Sequence, residues 1–551
     1  MSASGRRAVI DDGPGGTGSA GVARQRERPG LGPAWLPVAP ALVTLLAGLY
    51  RIQGPSFTRD ETATLAAVHR TFPELLRMLG NVDMVHGAYY ALIWAVVRIG
   101  GSGELAVRLP SAVAMAVTAA VVTVLGRRLL SGWAGLAAGL AFAALPPVSW
   151  FAEDAREGAF VAALATIASY CLVRVLQADT GRRRWLVAYG VSLAALGLGN
   201  LFGLLLIVAH AVTLAAWRQG HRNRHQAVAA PAVVPGAPNA GNDRQHRPRE
   251  AAAGPEVAPA TDRGLVLGWL VAVAVPLIVV SPVAVVGYGQ LHQIHWIKPL
   301  RLQDVISVER VIGSGWLFLI ALLIIACAVA VSAARGRSLL SAYWPADLVA
   351  LCLPWLVLPP AILLLASVAH PVYTYRYIGY CIPAAALLLG AALAALGRYA
   401  APAALIILVV IGLPSQVAQR RPDGHDINIR AADRVVARHE RRGDALLNIS
   451  AQRGQRKGTG ERTLEAAYPY GLGRLRDVSA GASPARSGTL GGTYASTQLI
   501  RQRLASVTRL WVVEWTTPKP VPILDGLGFT LDRRWDVKGL WIRLYTRGTG
   551  A

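Results

Sequence analysis

Charge is what this sequence has least of. Only 16% of its 551 residues are Asp, Glu, Lys or Arg, and 54% are hydrophobic; an average soluble domain carries about 25% charged residues. With a mean hydropathy of +0.41, that balance excludes an ordinary water-soluble enzyme. Cysteine is nearly as scarce. Cys171, Cys327, Cys352 and Cys381 all fall in apolar runs and none forms a CxxC pair, so they read as core or lipid-facing residues and not as disulfides or metal ligands. Residues 1–34 are rich in Gly, Arg and Pro and contain no apolar leader core, so no cleavable signal peptide is expected and the first apolar run stays as an anchor. Acidic residues are outnumbered: 31 Asp and Glu face 55 Lys and Arg, a net charge of +24. No RNA- or DNA-binding signature accompanies that excess, and Arg-rich cytoplasmic loops account for it. No internal repeat is present, so the inverted-repeat pattern of many transporters is missing.

What the chain does contain is apolar runs of about 20 residues, each long enough to cross about 30 Å of hydrocarbon. They predict about eleven transmembrane helices, near 35–50, 105–126, 132–149, 158–177, 185–199, 201–217, 265–286, 312–333, 347–367, 374–397 and 400–418. Segment 86–100 is short for a crossing. If it lies along the surface, Arg127–Arg128, Arg182–Arg184, Arg335, Arg337 and Arg398 all face the cytoplasm; if it spans, every one flips outward. It is therefore placed as an amphipathic helix in the outer interface.

The expected architecture is a mainly α, polytopic bundle of the cell membrane with a small C-terminal α/β domain. Residues 1–34 form a disordered cytoplasmic N-terminus and 35–418 the transmembrane domain, with an outer loop at 51–103. Residues 218–264, with seven Arg, three His and six Pro, form a disordered cytoplasmic loop. Residues 419–551 form an extracytoplasmic soluble domain, with strands at 445–449 and 509–515, an amphipathic helix at 432–444 and a hairpin at 531–546.

Four charged clusters share the outer face in this topology, and charges beside hydrocarbon mark cavities and pathways. Asp60 and Glu61 follow the first anchor. A carboxylate there can take a proton from a hydroxyl, and Asp60 equally reads as a helix cap. Asp83 and His86, three apart, can position an acceptor or hold a metal, or Asp83 can cap a helix while Tyr89 and Tyr90 anchor the interface. Glu153, Asp154 and Arg156 make a compact turn that can set a cation on a phosphate, or simply close an ion pair. Arg376 and Tyr377 open a late helix, where a guanidinium can clamp a lipid phosphate or snorkel to head groups. Trp296 and Lys298 add an aromatic wall and a cation.

Taken in order, the motifs RDE, DxxHGxYY, GELAVRLPS, WFAEDAR and YRYIGYCIPA resemble the polytopic GT-C glycosyltransferases. The likeness covers roughly residues 35–400 and is nearest the protein-O-mannosyltransferase-like branch of family thirty-nine in its actinobacterial form. Arg108–Ser111 is its most distinctive part. The chain departs from that pattern at Glu153-Asp154, at Gly158 and at His86-Gly87-Ala88. The resemblance implies an inverting hexosyltransferase that moves a sugar, mannose by preference, from a polyprenyl phosphate to an acceptor hydroxyl on the outer face. It casts Asp60 as the base with Glu61 beside it. Asp83, His86, Tyr89, Glu153 and Asp154 face acceptor or sugar, and Arg156, Lys298, Arg376 and Tyr377 face the donor phosphate. Any divalent metal would fall to Asp60, Asp83 and His86. The acceptor would be a glycan, lipid or protein, with membrane lipids around the bundle. Pentosyl transfer to a wall glycan and a transporter of lipid-linked material are the competing readings.

Overall fold

The computed structural model describes residues 33, 35–178, 180–229, 260–294, 296–335, 346–448, 461–515 and 518–548. All but one residue of the expected N-terminal segment 1–34 lies outside these, as does the middle of the expected loop 218–264. The flanking helices run into that loop further than hydropathy indicated, to Ala229 on one side and from Ala260 on the other.

Helices occupy every apolar run. In chain order they are α1 (Val38–Leu49), then α2 (Arg59–Val68), α3 (Phe72–Leu79) and α4 (Gly87–Gly100) in the first long loop. The bundle continues with α5 (Glu104–Leu129), α6 (Gly132–Ala144), α7 (Pro146–Ala152), α8 (Gly158–Leu176), α9 (Arg182–Gly199), α10 (Leu206–Ala229) and α11 (Ala260–Gly289). After a short α12 (Leu302–Ile306) come α13 (Gly315–Ala334), α14 (Ala346–Ala369), α15 (Ile382–Leu396) and α16 (Ala400–Gln419). Among the described residues, eight helices are long and apolar enough to cross a membrane. The pair α6–α7 is long and apolar enough only when its two helices are taken together across a 67° bend; the break falls at Pro146, which has no N–H to continue the ladder. α1 and α9 complete the eleven expected positions, but α1 has only 12 residues and α9 opens with three arginines.

Small residues let the bundle close. A Cβ on Gly126 of α5 would lie 2.7 Å from the Gly135 backbone of α6, and one on Gly390 of α15 would lie 2.4 Å from Ala138. Close backbone approach of this kind drives helix association where lipid removes the hydrophobic advantage. α15 sits at the centre, nearly all of its residues buried.

The α4 segment is too short to be among the eight. Tyr89, Tyr90 and Ile93 pack into a core shared by α2–α4 and the C-terminal domain. That domain holds α17 (Ile429–His439), β1 (Ala445–Asn448), α18 (Leu464–Ala467), β2 (Arg476–Asp477), α19 (Pro484–Ser487), α20 (Thr497–Leu504), β3 (Arg509–Glu514), β4 (Phe529–Val537) and β5 (Leu540–Arg547). The sheet order is β2-β1-β3-β5-β4; β1 is parallel to both neighbours and the β3-β5-β4 ribbon is antiparallel. Polar contacts bolt it to the bundle. Tyr468 donates to Glu104 at 2.8 Å, Arg430 meets the same carboxylate at 2.7 Å, and Arg70 donates to the Thr489 and Leu490 carbonyls, each at 2.6 Å.

One buried pair fixes the first loop. Arg108 of α5 grips Glu61 of α2 in two parallel bonds, 2.7 and 2.8 Å, with neither side chain exposed. The remaining guanidinium hydrogens go to the carbonyls of Ile52, Pro55 and Ser56. Glu61 also accepts from the Thr58 amide at 2.8 Å, closing a capping box at the start of α2, and from the Ala155 amide at 2.9 Å. Removing one partner from such a pair strands a charge, at a cost of about 3–5 kcal/mol. Glu61→Gln and Arg108→Gln should therefore each lower the unfolding temperature in detergent, and the double variant should cost less than the sum of the two. Strict additivity would show that the pair is not the coupling element.

Candidate active site

Four stretches far apart in the chain meet at the end of the bundle that carries the C-terminal domain. α2 begins beneath that domain because Thr58 caps it. Asp60, one residue before buried Glu61, points out. Its Oδ2 lies 2.7 Å from Arg376 Nη1, and both side chains are nearly half exposed. Arg376 belongs to a 3₁₀ stretch, Tyr375–Cys381, that leads into α15. The bend at Pro146 swings α7 so that its Trp150 sits under Arg376, with the guanidinium 5.9 Å from the ring. On Trp150 stacks His425, at 4.1 Å between centroids, from the segment that joins α16 to the C-terminal domain.

Beneath this mouth lie two protonated carboxyls. Burial pushes Asp154 up to about 8; the negative charges of Glu61 and Asp60 add to the rise, and Arg376 and Arg156 oppose it. Burial likewise pushes Glu153 up to about 8, and Arg420, 3.0 Å away, offsets only part of that. Glu61 is the counterexample: burial disfavours its charge, yet Arg108 in contact holds it below the usual range. Burial also pushes the His425 imidazole down to about 3, with Arg108 adding to the drop, so the ring is neutral.

A second polar group lies beside the first. Tyr90 donates to Asp83 at 2.9 Å, and Arg156 donates to the Tyr90 oxygen at 3.3 Å. Arg156 also reaches His86 Nε2 at 3.0 Å, and His86 Nδ1 is 3.1 Å from Glu157. The imidazole thus bridges the Arg156 guanidinium and the Glu157 carboxylate. Burial works against charge on Glu157, but His86 and Arg156 prevail and bring it to about 2. A cavity of about 440 Å³ lies on the other side of Tyr375, lined by Lys298, Arg301 and Arg310 with Trp296 and Asp304; Arg310 sits 5.0 Å from the Tyr375 ring.

Several sequence expectations need correction here. Glu61 and Glu153 are fully enclosed, and all of Glu61's bonds are to the protein itself, so neither carboxyl reaches a substrate; Glu61 is a positioning residue. Tyr89 is buried too, its ring edge-on to Phe160 at 5.9 Å; the next residue, Tyr90, makes the polar contacts. Asp60 does not cap α2, because Thr58 does. Asp83 caps nothing either: it sits at φ +60° before a 3₁₀ turn. Lys298 lies in the neighbouring cavity and not at the Asp60–Arg376 pair, and Tyr377 packs on Phe202 at 5.1 Å. Asp60, Asp83 and His86 do not form a ligand set: each is engaged by a different group. Among the described residues no three His, Cys, Asp or Glu side chains gather as a metal site. Asp60, Asp83, His86, Asp154, Arg156 and Arg376 do come together. Trp150, Glu157, Arg420 and His425 were not anticipated. Glu157 directly follows the flagged turn; His425 sits in a polar segment with no pattern to mark it.

Residues 87–235 match a family model described as dolichyl-phosphate-mannose-protein mannosyltransferase. No curated protein matches the chain by sequence. Among solved structures, ArnT from Cupriavidus metallidurans in the apo state is similar over 92% of this chain and 97% of its own, with a TM-score of 0.56 at 14% identity. The same protein bound to undecaprenyl phosphate covers the same shares, with a TM-score of 0.54 at 15% identity. Arabinofuranosyltransferase AftD from Mycobacteria is similar at a TM-score of 0.47 and 15% identity, over 94% of this chain and 40% of its own. The fold of this chain is thus the one it shares with ArnT, a polytopic helix bundle of the membrane with a small C-terminal sheet domain.

Proposed function

We propose that this protein transfers a sugar, mannose by preference, from a polyprenyl phosphate to an acceptor hydroxyl at the outer face of the membrane. The observation that carries the reading is the Asp60–Arg376 contact at 2.7 Å: an open carboxylate and an open guanidinium, 316 residues apart, held at one mouth between bundle and soluble domain. The family match over 87–235 and the fold shared with a protein solved with undecaprenyl phosphate support a lipid-linked donor.

The chemistry is one displacement. Asp60 takes the proton of the acceptor hydroxyl as its oxygen bonds to the anomeric carbon. The bond from that carbon to the phosphate oxygen breaks, and its electron pair leaves with the lipid phosphate. Arg376 moves from Asp60 to the phosphate, which frees the base and meets the growing charge. Electrostatic stabilisation of this kind is the largest single contribution in most such reactions. The cations Lys298, Arg301 and Arg310 line the cavity next to Tyr375 and give the phosphate and its lipid a seat on that side. Asp154, protonated at neutral pH, is a neutral donor that does not repel the phosphate. Attack from one side inverts the anomeric centre. A transporter of lipid-linked material would place its charges near the bilayer midplane; here they gather at one end.

Asp60→Asn should cut transfer by about 10²–10⁴-fold, measured as lipid phosphate released from polyprenyl phosphate mannose, while the variant still unfolds at the wild-type temperature; near-normal release would remove Asp60 as the base. Arg376→Ala should chiefly raise the donor KM, and an unchanged donor KM would remove it from the phosphate. Below about pH 8 Glu153 and Asp154 hold their protons, and above it they ionise, adding negative charge beside a departing phosphate. Release should therefore fall as pH rises through about 8, and the Glu153→Gln/Asp154→Asn double variant should lose that limb. A limb that persists in the double variant would assign it elsewhere.

A further inference from the structure

The parallel strands of the C-terminal domain lie in the order β2-β1-β3. From β1 the chain goes to one side for β2 and to the other for β3. The gap between the carboxyl ends of β1 and β3 is therefore a topological switch point, the place where open α/β sheets hold their ligands. Here those ends are Asn448 and Glu514–Trp515. Side chains alternate along a strand, which sends Asn448 to the face of Leu446; Trp515 packs on that same face, against the core shared with α2–α4.

The crevice has built polar walls. Asn448 Nδ2 donates to Asp477 Oδ2 at 3.2 Å, and Arg462 Nε lies 2.9 Å from the same oxygen. Glu465 stands in the field of both Asp477 and Arg462. Asn448 is wholly buried, yet its Oδ1 has no hydrogen-bond partner among the described residues, and the same holds for Glu465 Oε1 and Trp515 Nε1. Leaving buried polar atoms unmatched costs about 1–3 kcal/mol apiece, so their collection at a switch point marks where an absent partner docks. The bundle supplies the facing wall. The Arg59 guanidinium lies 5.3 Å over the Trp515 ring, and Thr62 is 3.0 Å from Thr463. Arg59 is the neighbour of Asp60.

We propose that this crevice is the acceptor subsite for an uncharged oligosaccharide, held so that its end reaches Asp60; the assignment of acceptor rests on the transfer reading above. The chemistry of the walls selects the class. Arg462 is already paired with Asp477 at 2.9 Å and Arg59 lies over the Trp515 ring, so neither guanidinium stands open to an anionic ligand. An amide oxygen, a carboxylate oxygen and an indole N–H can accept from and donate to sugar hydroxyls.

The test is calorimetric titration of the full-length protein in detergent with mannotriose and linear arabinotriose, and with a uronic acid trisaccharide as the anionic counterpart. An uncharged trisaccharide should bind saturably and the uronic one should not. Trp515→Leu and the near-isosteric Glu465→Gln should each weaken binding about tenfold, the loss of one hydrogen bond apiece. Failure of both uncharged sugars to bind, binding unchanged in both variants, or tighter binding of the uronic trisaccharide would overturn the subsite. The same preparation is assayed for lipid phosphate release from polyprenyl phosphate mannose. Release without trisaccharide binding sinks the subsite and leaves the transfer reading standing. Absence of release sinks the transfer reading and, with it, the role of the crevice as an acceptor site.

Discussion

A carboxylate and a guanidinium enclosed together organise this molecule. Glu61 and Arg108 are both fully buried, where an isolated charge would be intolerable. They persist because every hydrogen-bonding group on both is matched. The matching draws in the 52–58 loop, the first turn of α2, α5 and the turn after α7. Four segments cannot shift relative to one another without stranding a donor or an acceptor. Asp60, next in the chain, inherits that rigidity while keeping its own carboxylate in the open. The arrangement separates two adjacent acids: one is locked by its buried partner, and the other meets Arg376 in the open.

Around that fixed point the same physics yields opposite outcomes. Glu157 and Asp154 are three residues apart and both nearly buried. Glu157 has His86 and Arg156 against it and stays ionised. For Asp154, burial and the charges of Glu61 and Asp60 outweigh Arg376 and Arg156, and its carboxyl is pushed up to about 8. Burial alone does not set protonation; the sign of the nearest charge does. The bundle and the soluble domain divide the remaining work. Small residues bring α5, α6 and α15 together, and the shared core of α2–α4 and the C-terminal domain forms a roof over the mouth.

Much of this could be read from residue patterns. Hydropathy located most of the helices to within a few residues, because twenty apolar side chains in a row have few alternatives. The strands ALLN and RLWVVE and the final hairpin were visible as short apolar runs between polar ones. The motif order brought Asp60, Asp83, His86, Asp154, Arg156 and Arg376 forward as a group. Period and composition could not tell Asp60 from Glu61, or Tyr89 from Tyr90. In each pair the two residues have nearly the same chemistry, and only the rotation of the helix decides which is buried. His425 and Trp150 carried no pattern, since a stacking contact between positions so distant in the chain leaves no periodic trace.

The amino-acid sequence by itself determined that this chain enters a membrane many times, where its last long apolar helix ends, and which charges lie at helix ends, because hydrophobic length and charge placement are local quantities. Which acid faces the mouth, which carboxyls keep their protons, and that Arg376 meets Asp60 were decided only by the tertiary structure. Those outcomes depend on distance and burial between segments far apart in the chain, and such couplings exist only once the helices have packed.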